Sequence, residues 1–280
     1  MNITWSEVQL RRLKELDAAP DEQSMQFDST IERDRAFQKL EKKLIKDARC
    51  HLNEFRKHHL RPRLCRLESG LVEALTENGF AQVVTPIIMS RGLLAKMTID
   101  ENHPLFSQIY WLDKDKCLRP MLAPHLYYVL KDLLRLWEKP VRIFEIGSCF
   151  RKESQGSLHS PEFTMLNVVE MGLPKEERQV RLDELAALVT RSAGLESYSL
   201  ETETSTVYGQ TIDVKAGQGQ IEVGSAAMGP HPLDRAWRII DAWIGIGFGL
   251  ERLLMVKEKS QNLAKMGRSL AYLDGIRLNI

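Results

Sequence analysis

Two stretches far apart in the chain carry side chains suited to phosphate and purine chemistry. The first is Phe150-Arg151-Lys152-Glu153, at the end of a segment patterned as a strand, followed by a polar loop and by Phe163 at the start of the next strand. The second is Gly245-Ile-Gly247-Phe-Gly249-Leu-Glu251-Arg252, where alternating glycines run into a helix. A fixed guanidinium stabilises negative charge that develops on a phosphate under attack, a role open to Arg151. A carboxylate two residues on can accept from an exocyclic amino group, which separates adenine from guanine, while an aromatic ring can stack on the base. Glu153 and Phe163 are the candidates. Alternating glycines clear one surface of a strand so that a nucleotide can lie against backbone, and Arg252 at the opening of the next helix can then reach terminal phosphates. His159 in the loop is a further phosphate candidate, and Glu222 and Ser225 are oxygen ligands of the kind Mg²⁺ accepts. Taken singly, Arg-x-Glu also fits a surface salt bridge and the glycines fit close packing.

These residues need a rigid frame, and the pattern supplies one. Residues 1–62 read as a short helix, a turn at Asp17-Ala-Ala-Pro-Asp-Glu, and a longer helix from about Asp28 to His59, with Pro62 as the break. Leu67, Leu71, Ala74 and Leu75 predict an amphipathic helix that stops at Asn78-Gly79. Phe80 to Ile88 reads as a strand interrupted by Pro86, and Ile109 to Leu112 as another. Pro124 opens a helix carrying Leu126, Leu130, Leu133 and Trp137. From Val141 the texture becomes β-rich: strands are expected at 141–144, 148–151, 163–171, near 204–214 and at 221–228, with a helix from about Lys175 to Ala193 and a Gly-rich strand and helix at the end. The expectation is an α+β chain of antiparallel sheet flanked by helices, with an N-terminal helical segment at 1–62 and a catalytic domain at 63–280.

Composition narrows the class without naming an activity. The 280 residues are 43% hydrophobic and 28% charged, which fits a folded chain with a large core and excludes a disordered or fibrous one. No apolar run is long enough to span a bilayer, and the N-terminus lacks the regions of a signal peptide; a cytoplasmic protein with no membrane contact is expected. Four dispersed cysteines form no C-x-x-C pair, against a zinc knuckle or disulfide framework. Net charge is only +1, but Arg33 to Arg66 holds twelve Lys or Arg against four acids. That run is either a solvated helix face or a phosphate-backbone contact surface.

In this order and context the two stretches resemble motifs 2 and 3 of the class II aminoacyl-tRNA synthetases, and Gly79-Phe80 to Thr85-Pro86 resembles motif 1, the dimer-forming one. The blocks Leu118-Arg-Pro-Met-Leu-Ala-Pro124, Phe144-Glu-Ile-Gly, Glu162-Phe-Thr-Met-Leu-Asn167, Val207-Tyr-Gly-Gln-Thr-Ile-Asp213 and Trp243 to Arg252 resemble the pyrrolysyl-tRNA synthetase family, in its shorter type without a separate N-terminal tRNA-binding domain. The resemblance implies ATP and Mg²⁺, pyrrolysine, a cognate amber-decoding tRNA and a homodimer. It also implies that Arg151 serves the α-phosphate and carboxylate and Arg252 the terminal phosphates. Leu126, Tyr127, Leu130, Val169, Ala227, Trp243 and Gly245 would line an apolar amino-acid pocket, Asn167 would bond the substrate amide, and Tyr208 would cap it. No carboxylate stands among these positions to hold a lysine ammonium, so a neutral side chain is expected. The chain departs from the family pattern at Ala227, Val169, Gly224 and Pro161, which leaves pocket volume and nucleotide-loop geometry open. Two rival readings remain at this level: a ligase on the same scaffold that acylates a protein or small molecule, and a non-catalytic regulatory subunit.

Overall fold

Leu64, Leu67, Leu71 and Leu75 recur at helical spacing, and all four are buried along one stripe of the Arg63–Glu77 helix. That stripe packs on one face of a seven-stranded sheet, together with the Arg178–Ser192 and Leu250–Lys257 helices. The computed structural model describes residues 3–152, 160–218, 220–260 and 262–280. The chain divides into two compact units, one running up to Pro62 and taking in Ser269–Ile280, the other Arg63–Arg268.

In the first unit, Ser6 caps the Glu7–Glu15 helix with a capping box, and Ser29 caps the Thr30–Lys57 helix by accepting from the Glu32 N–H. Their apolar sides meet around Trp5, Leu13, Phe27 and Leu44. On the long helix, Arg35, Lys39, Lys42 and Lys46 are exposed at steps of four, three and four, which stacks them on one face, and Arg56 is exposed further along. None of these five pairs with an acid among the described residues. The tail 269–280, expected to close the catalytic domain, groups with this unit instead: its Tyr272–Leu273 and Ile276–Arg277 hairpin and Ile280 pack there.

The sheet of the second unit runs, edge to edge, Ala81–Gln82, Val141–Phe150, Glu162–Met171, Trp243–Gly249, Ile221–Gly229, Gly209–Ala216 and Tyr198–Ser205. All pairings are antiparallel except the first, Ala81–Gln82 on Ile143–Phe144. Four expectations change. The stretch expected as one strand near 204–214 is a hairpin, Tyr198–Ser205 paired antiparallel with Gly209–Ala216. Residues 141–150 form one continuous strand, because Gly147 leaves room for the Arg119 guanidinium and does not break the ladder. Ile109–Leu112 forms no strand; a 3₁₀ turn at Pro104–Gln108 precedes it, and it retains a single bridge between Trp111 and Cys117. Phe80–Ile88 splits at Pro86, with Ile88–Ser90 pairing the Lys116–Leu118 strand outside the main sheet. No helix among the described residues is long and apolar enough to cross a membrane.

One buried ion pair ties these pieces together. Arg119 and Glu145 are 3% and 1% exposed and meet at 2.7 Å. Glu145 also accepts from the Thr85 N–H at 3.0 Å and the Thr85 hydroxyl at 2.8 Å, while Arg119 Nε donates to the Ser148 carbonyl at 2.8 Å. His125 Nδ1 lies 3.3 Å from the same hydroxyl, and burial, then the Arg119 charge, hold the His125 imidazolium below its ordinary range. A pair dressed this fully offsets its own desolvation, but either partner alone is a stranded charge. Arg119→Met is therefore expected to lower unfolding free energy by about 3–5 kcal/mol. The double variant Arg119→Met/Glu145→Gln should recover part of the loss in urea titration, since the orphaned carboxylate is gone.

Candidate active site

The centre of the sheet is a strand with side chains on one face and almost none on the other. Ile244, Ile246 and Phe248 point into the helical core and are fully buried, so Gly245, Gly247 and Gly249 face the opposite way. Register sets their neighbours. Gly247 lies between Asn167 and Ser225, and Gly245 between Val169 and Ala227. The result is the floor of a cavity of about 500 Å³, roofed on one side by Leu126, Tyr127 and Leu130 from the Ala123–Leu136 helix. A methyl on Gly247 would stand 2.9 Å from Asn167 Oδ1, so the glycine is what leaves the Asn167 amide accessible. Gly224, where the resemblance predicts serine, sits with its Cβ position 2.6 Å from the Phe248 ring, and this packing requires glycine.

At the polar end, Arg151 and Arg252 line the same cavity although they are a hundred residues apart. Arg151 donates from Nε to the Pro120 carbonyl at 3.0 Å and lies 5.3 Å over the Phe163 ring; its own N–H is held by the Pro161 carbonyl at 3.0 Å. Pro161 thus closes the base of the loop. Arg252 donates to the Glu222 carbonyl at 3.0 Å and lies 3.4 Å from the Glu222 carboxylate, with about a third of its side chain exposed. Glu153 and His159 lie outside the described residues.

Glu222 and Ser225 are three apart, a spacing that puts side chains on opposite faces of a regular strand. The register shift between Glu222 and Gly224 changes this: Glu222 pairs Lys215 and Ser225 pairs Asp213, two positions on one face of the next strand. Both then line the cavity. Ser225 Oγ donates to Asp213 at 2.7 Å, which turns its lone pairs outward. No group of three or more His, Cys, Asp or Glu that could hold a metal occurs among the described residues. Two hard oxygen donors beside two guanidiniums do fit a divalent cation that brings its remaining oxygens from a triphosphate and water.

At the apolar end, Val169, Ala227 and Trp243 are buried, and Tyr208 sits in the Ser205–Gly209 turn with its ring 6.1 Å from Trp243, edge-on. The structure thus brings Leu126, Tyr127, Leu130, Asn167, Val169, Tyr208, Ala227, Trp243 and Gly245 to one cavity with Arg151, Phe163, Glu222, Ser225 and Arg252. Asn167 makes no side-chain hydrogen bond to another described residue, and the two acids among the described lining residues, Glu222 and Glu251, are both engaged. Glu251 is buried and accepts the Thr164 N–H on both oxygens at 2.9 Å; burial raises its pKa.

Two functional groups escape a linear reading. Glu251 is visible only as the residue before Arg252. Asp234 has no motif, yet it is 2% exposed and accepts from the Tyr127 hydroxyl at 3.1 Å, Trp243 Nε1 at 2.8 Å and the His231 N–H at 2.6 Å. Burial raises the Tyr127 pKa first, with nearby Tyr208 and Asp234 adding to it, so its phenol stays a donor. The available signal was an acid set in an apolar, Pro-bounded segment, His231-Pro-Leu-Asp234.

Comparison with known proteins agrees with this geometry. Residues 50–274 match the family model of the tRNA synthetases class II core domain. A crystal structure of pyrrolysyl-tRNA synthetase from Desulfitobacterium hafniense superposes with a TM-score of 0.93 at 55% identity, covering 99% of this chain and 99% of that one. A second structure of pyrrolysyl tRNA synthetase from that organism gives 0.90 at 53%, covering 99% and 96%. Among curated proteins, lysine--tRNA ligase of Mycoplasmoides gallisepticum (strain R(low / passage 15 / clone 2)) is 28% identical over 141 residues, 50% of this chain and 26% of that protein. Threonine--tRNA ligase of Wolbachia sp. subsp. Brugia malayi (strain TRS) is 34% identical over 98 residues, 33% and 15%. The chain thus spans about a quarter or less of the length of these two curated relatives. A glycine-floored cavity with two convergent arginines, the matched core domain and the full-length structural likeness together place the chain in the class II aminoacyl-tRNA synthetases, within the pyrrolysyl-tRNA synthetase family.

Proposed function

We propose that the chain activates pyrrolysine with ATP and transfers the acyl group to the 3′ end of its cognate amber-decoding tRNA. The observation that carries this is the composition of one cavity: Arg151 and Arg252 at one end, and at the other an apolar sleeve that presents the neutral amide of Asn167. In the first step the substrate carboxylate, already ionised, attacks the α-phosphorus in line and pyrophosphate leaves. Arg151 neutralises charge building on the α-phosphate, and Arg252 holds the departing phosphates. Glu153 and Phe163 are assigned to adenine recognition and His159 to phosphate. No general base is required, and positioning supplies much of the acceleration. Glu222 and Ser225 would hold Mg²⁺, which when bound supplies charge neutralisation on the phosphates. In the second step a ribose hydroxyl of the tRNA attacks the acyl carbon and AMP leaves.

Selectivity follows from what the sleeve lacks. A lysine ammonium placed there meets no carboxylate among the described lining residues, since Glu222 and Glu251 belong to the phosphate end, and an unpaired buried ammonium is costly. Pyrrolysine, or a lysine carbamate analogue, should support ATP–pyrophosphate exchange, with lysine weaker by roughly a hundredfold or more in kcat/KM. Arg252→Ala should cut exchange by about a hundredfold or more. Exchange with a standard amino acid alone would overturn the assignment, and unchanged ATP binding in Arg252→Ala would favour the regulatory-subunit reading.

The basic stripe of the Thr30–Lys57 helix is assigned to the tRNA phosphates, and the exposed Val84, Ile87 and Ile88 beside Thr85-Pro86 to a homodimer contact. The cysteines at 50, 65, 117 and 149 are not joined in disulfides, which suits a cytoplasmic setting. The triple variant Lys39→Glu/Lys42→Glu/Lys46→Glu separates the two half-reactions. Amino-acid-dependent exchange should stay within about twofold, while tRNA affinity falls by about tenfold or more and its salt dependence flattens. Unchanged tRNA affinity would return the stripe to a solvated face.

A further inference from the structure

The far wall of the cavity is aromatic, and aromatic rings in a pocket wall hold position only if something fixes them. Tyr127 and Trp243 meet edge-on at 5.8 Å, and Tyr208 meets Trp243 at 6.1 Å. Two of the three rings end on the carboxylate of Asp234, which accepts one hydrogen bond from each. A third bond to Asp234 comes from the backbone N–H of His231 and fixes the start of the 231–237 segment. The His231 ring continues the chain of contacts. Its Nδ1 accepts from the Leu233 N–H at 3.2 Å, so the ring proton sits on Nε2, which donates to the Tyr208 carbonyl at 3.0 Å. The imidazole also meets the Tyr208 ring edge-on at 5.6 Å. Neither Asp234 nor His231 lines the cavity.

We infer that Asp234 and His231 form a brace that fixes Tyr127, Trp243 and the Tyr208 turn as one wall, and so sets the depth of the amino-acid pocket. They are positioning residues, and the inference rests on the function proposed above. The chemistry of the brace predicts an uneven response to substitution. Asp234→Asn can keep all three contacts: its oxygen accepts from Trp243 and His231, and its NH₂ donates to the Tyr127 hydroxyl, which can accept as well as donate. Asp234→Ala leaves three donors without an acceptor. His231→Ala keeps every bond to Asp234, since the backbone N–H remains; it releases the Tyr208 carbonyl and takes the imidazole acceptor from the Leu233 N–H. His231→Gln can restore a donor to that carbonyl.

The test is steady-state ATP–pyrophosphate exchange with pyrrolysine or a lysine carbamate analogue, together with amide hydrogen exchange of the ligand-free full chain. His231→Ala and Asp234→Ala should raise KM for the amino acid by about tenfold, the equivalent of one lost hydrogen bond, with KM for ATP within about twofold. Asp234→Asn and His231→Gln should stay near wild type. Amide exchange in the 205–209 turn should quicken by about tenfold in His231→Ala and not in the Glu162–Met171 strand. Should Asp234→Ala fail to fold, the two His231 variants carry the test. Equal rises in both KM values, or no change in either KM or turn exchange, would overturn the brace. If the wild-type chain gives no pyrrolysine-dependent exchange, the proposed function has failed, and turn exchange in His231→Ala alone decides the brace.

Discussion

The arrangement depends on the parity of one strand. Between Trp243 and Gly249 every second residue is a large apolar side chain driven into the helical core, which fixes the strand's rotation by burying Ile244, Ile246 and Phe248 completely. The intervening glycines must then face the other way. Burial of three such side chains is worth several kcal/mol in total, so a one-residue slip, which would turn them toward the cavity and the glycines into the core, is strongly disfavoured. The bare surface is therefore a consequence of the core beneath it. Hydrophobic burial on one face creates the room for a substrate on the other.

From that surface outward, each neighbour contributes a different property. The Glu162–Met171 strand offers Asn167 and Val169, the Ile221–Gly229 strand offers Ser225 and Ala227, and register places these in two rows across the glycines. One end of the rows opens on guanidiniums, the other on aromatic rings tied to a buried carboxylate. The division suits a substrate with a charged head and a long neutral side chain. It also explains why small residues matter more here than reactive ones: activation of a carboxylate by ATP needs placement and charge neutralisation, and no side chain has to move a proton first.

Much of this was legible in the chain because the signals are local. Arg151 near a strand end, the alternating glycines before Arg252, and the helix opened by Pro124 are each fixed by neighbours within a few residues, and the structure brings them to one cavity. What could not be read depends on partners distant in sequence. Gly147 looks like a strand break until Arg119 is seen to need its space. Glu222 and Ser225 share a face only because of a register shift against the 209–216 strand. Asp234 gathers donors from positions 127, 231 and 243, and no spacing announces it. The tail beyond residue 268 has the composition of either unit, and its grouping follows from packing alone.

The most direct test is a crystal structure of the chain with a non-hydrolysable ATP analogue and pyrrolysine. The α-phosphate should lie within hydrogen-bond reach of Arg151, the terminal phosphates at Arg252, and the pyrrolysine amide carbonyl on the Asn167 side-chain NH₂ above Gly247. A nucleotide bound away from the glycine face, or an amino-acid side chain that leaves the row at Asn167 empty, would contradict the account.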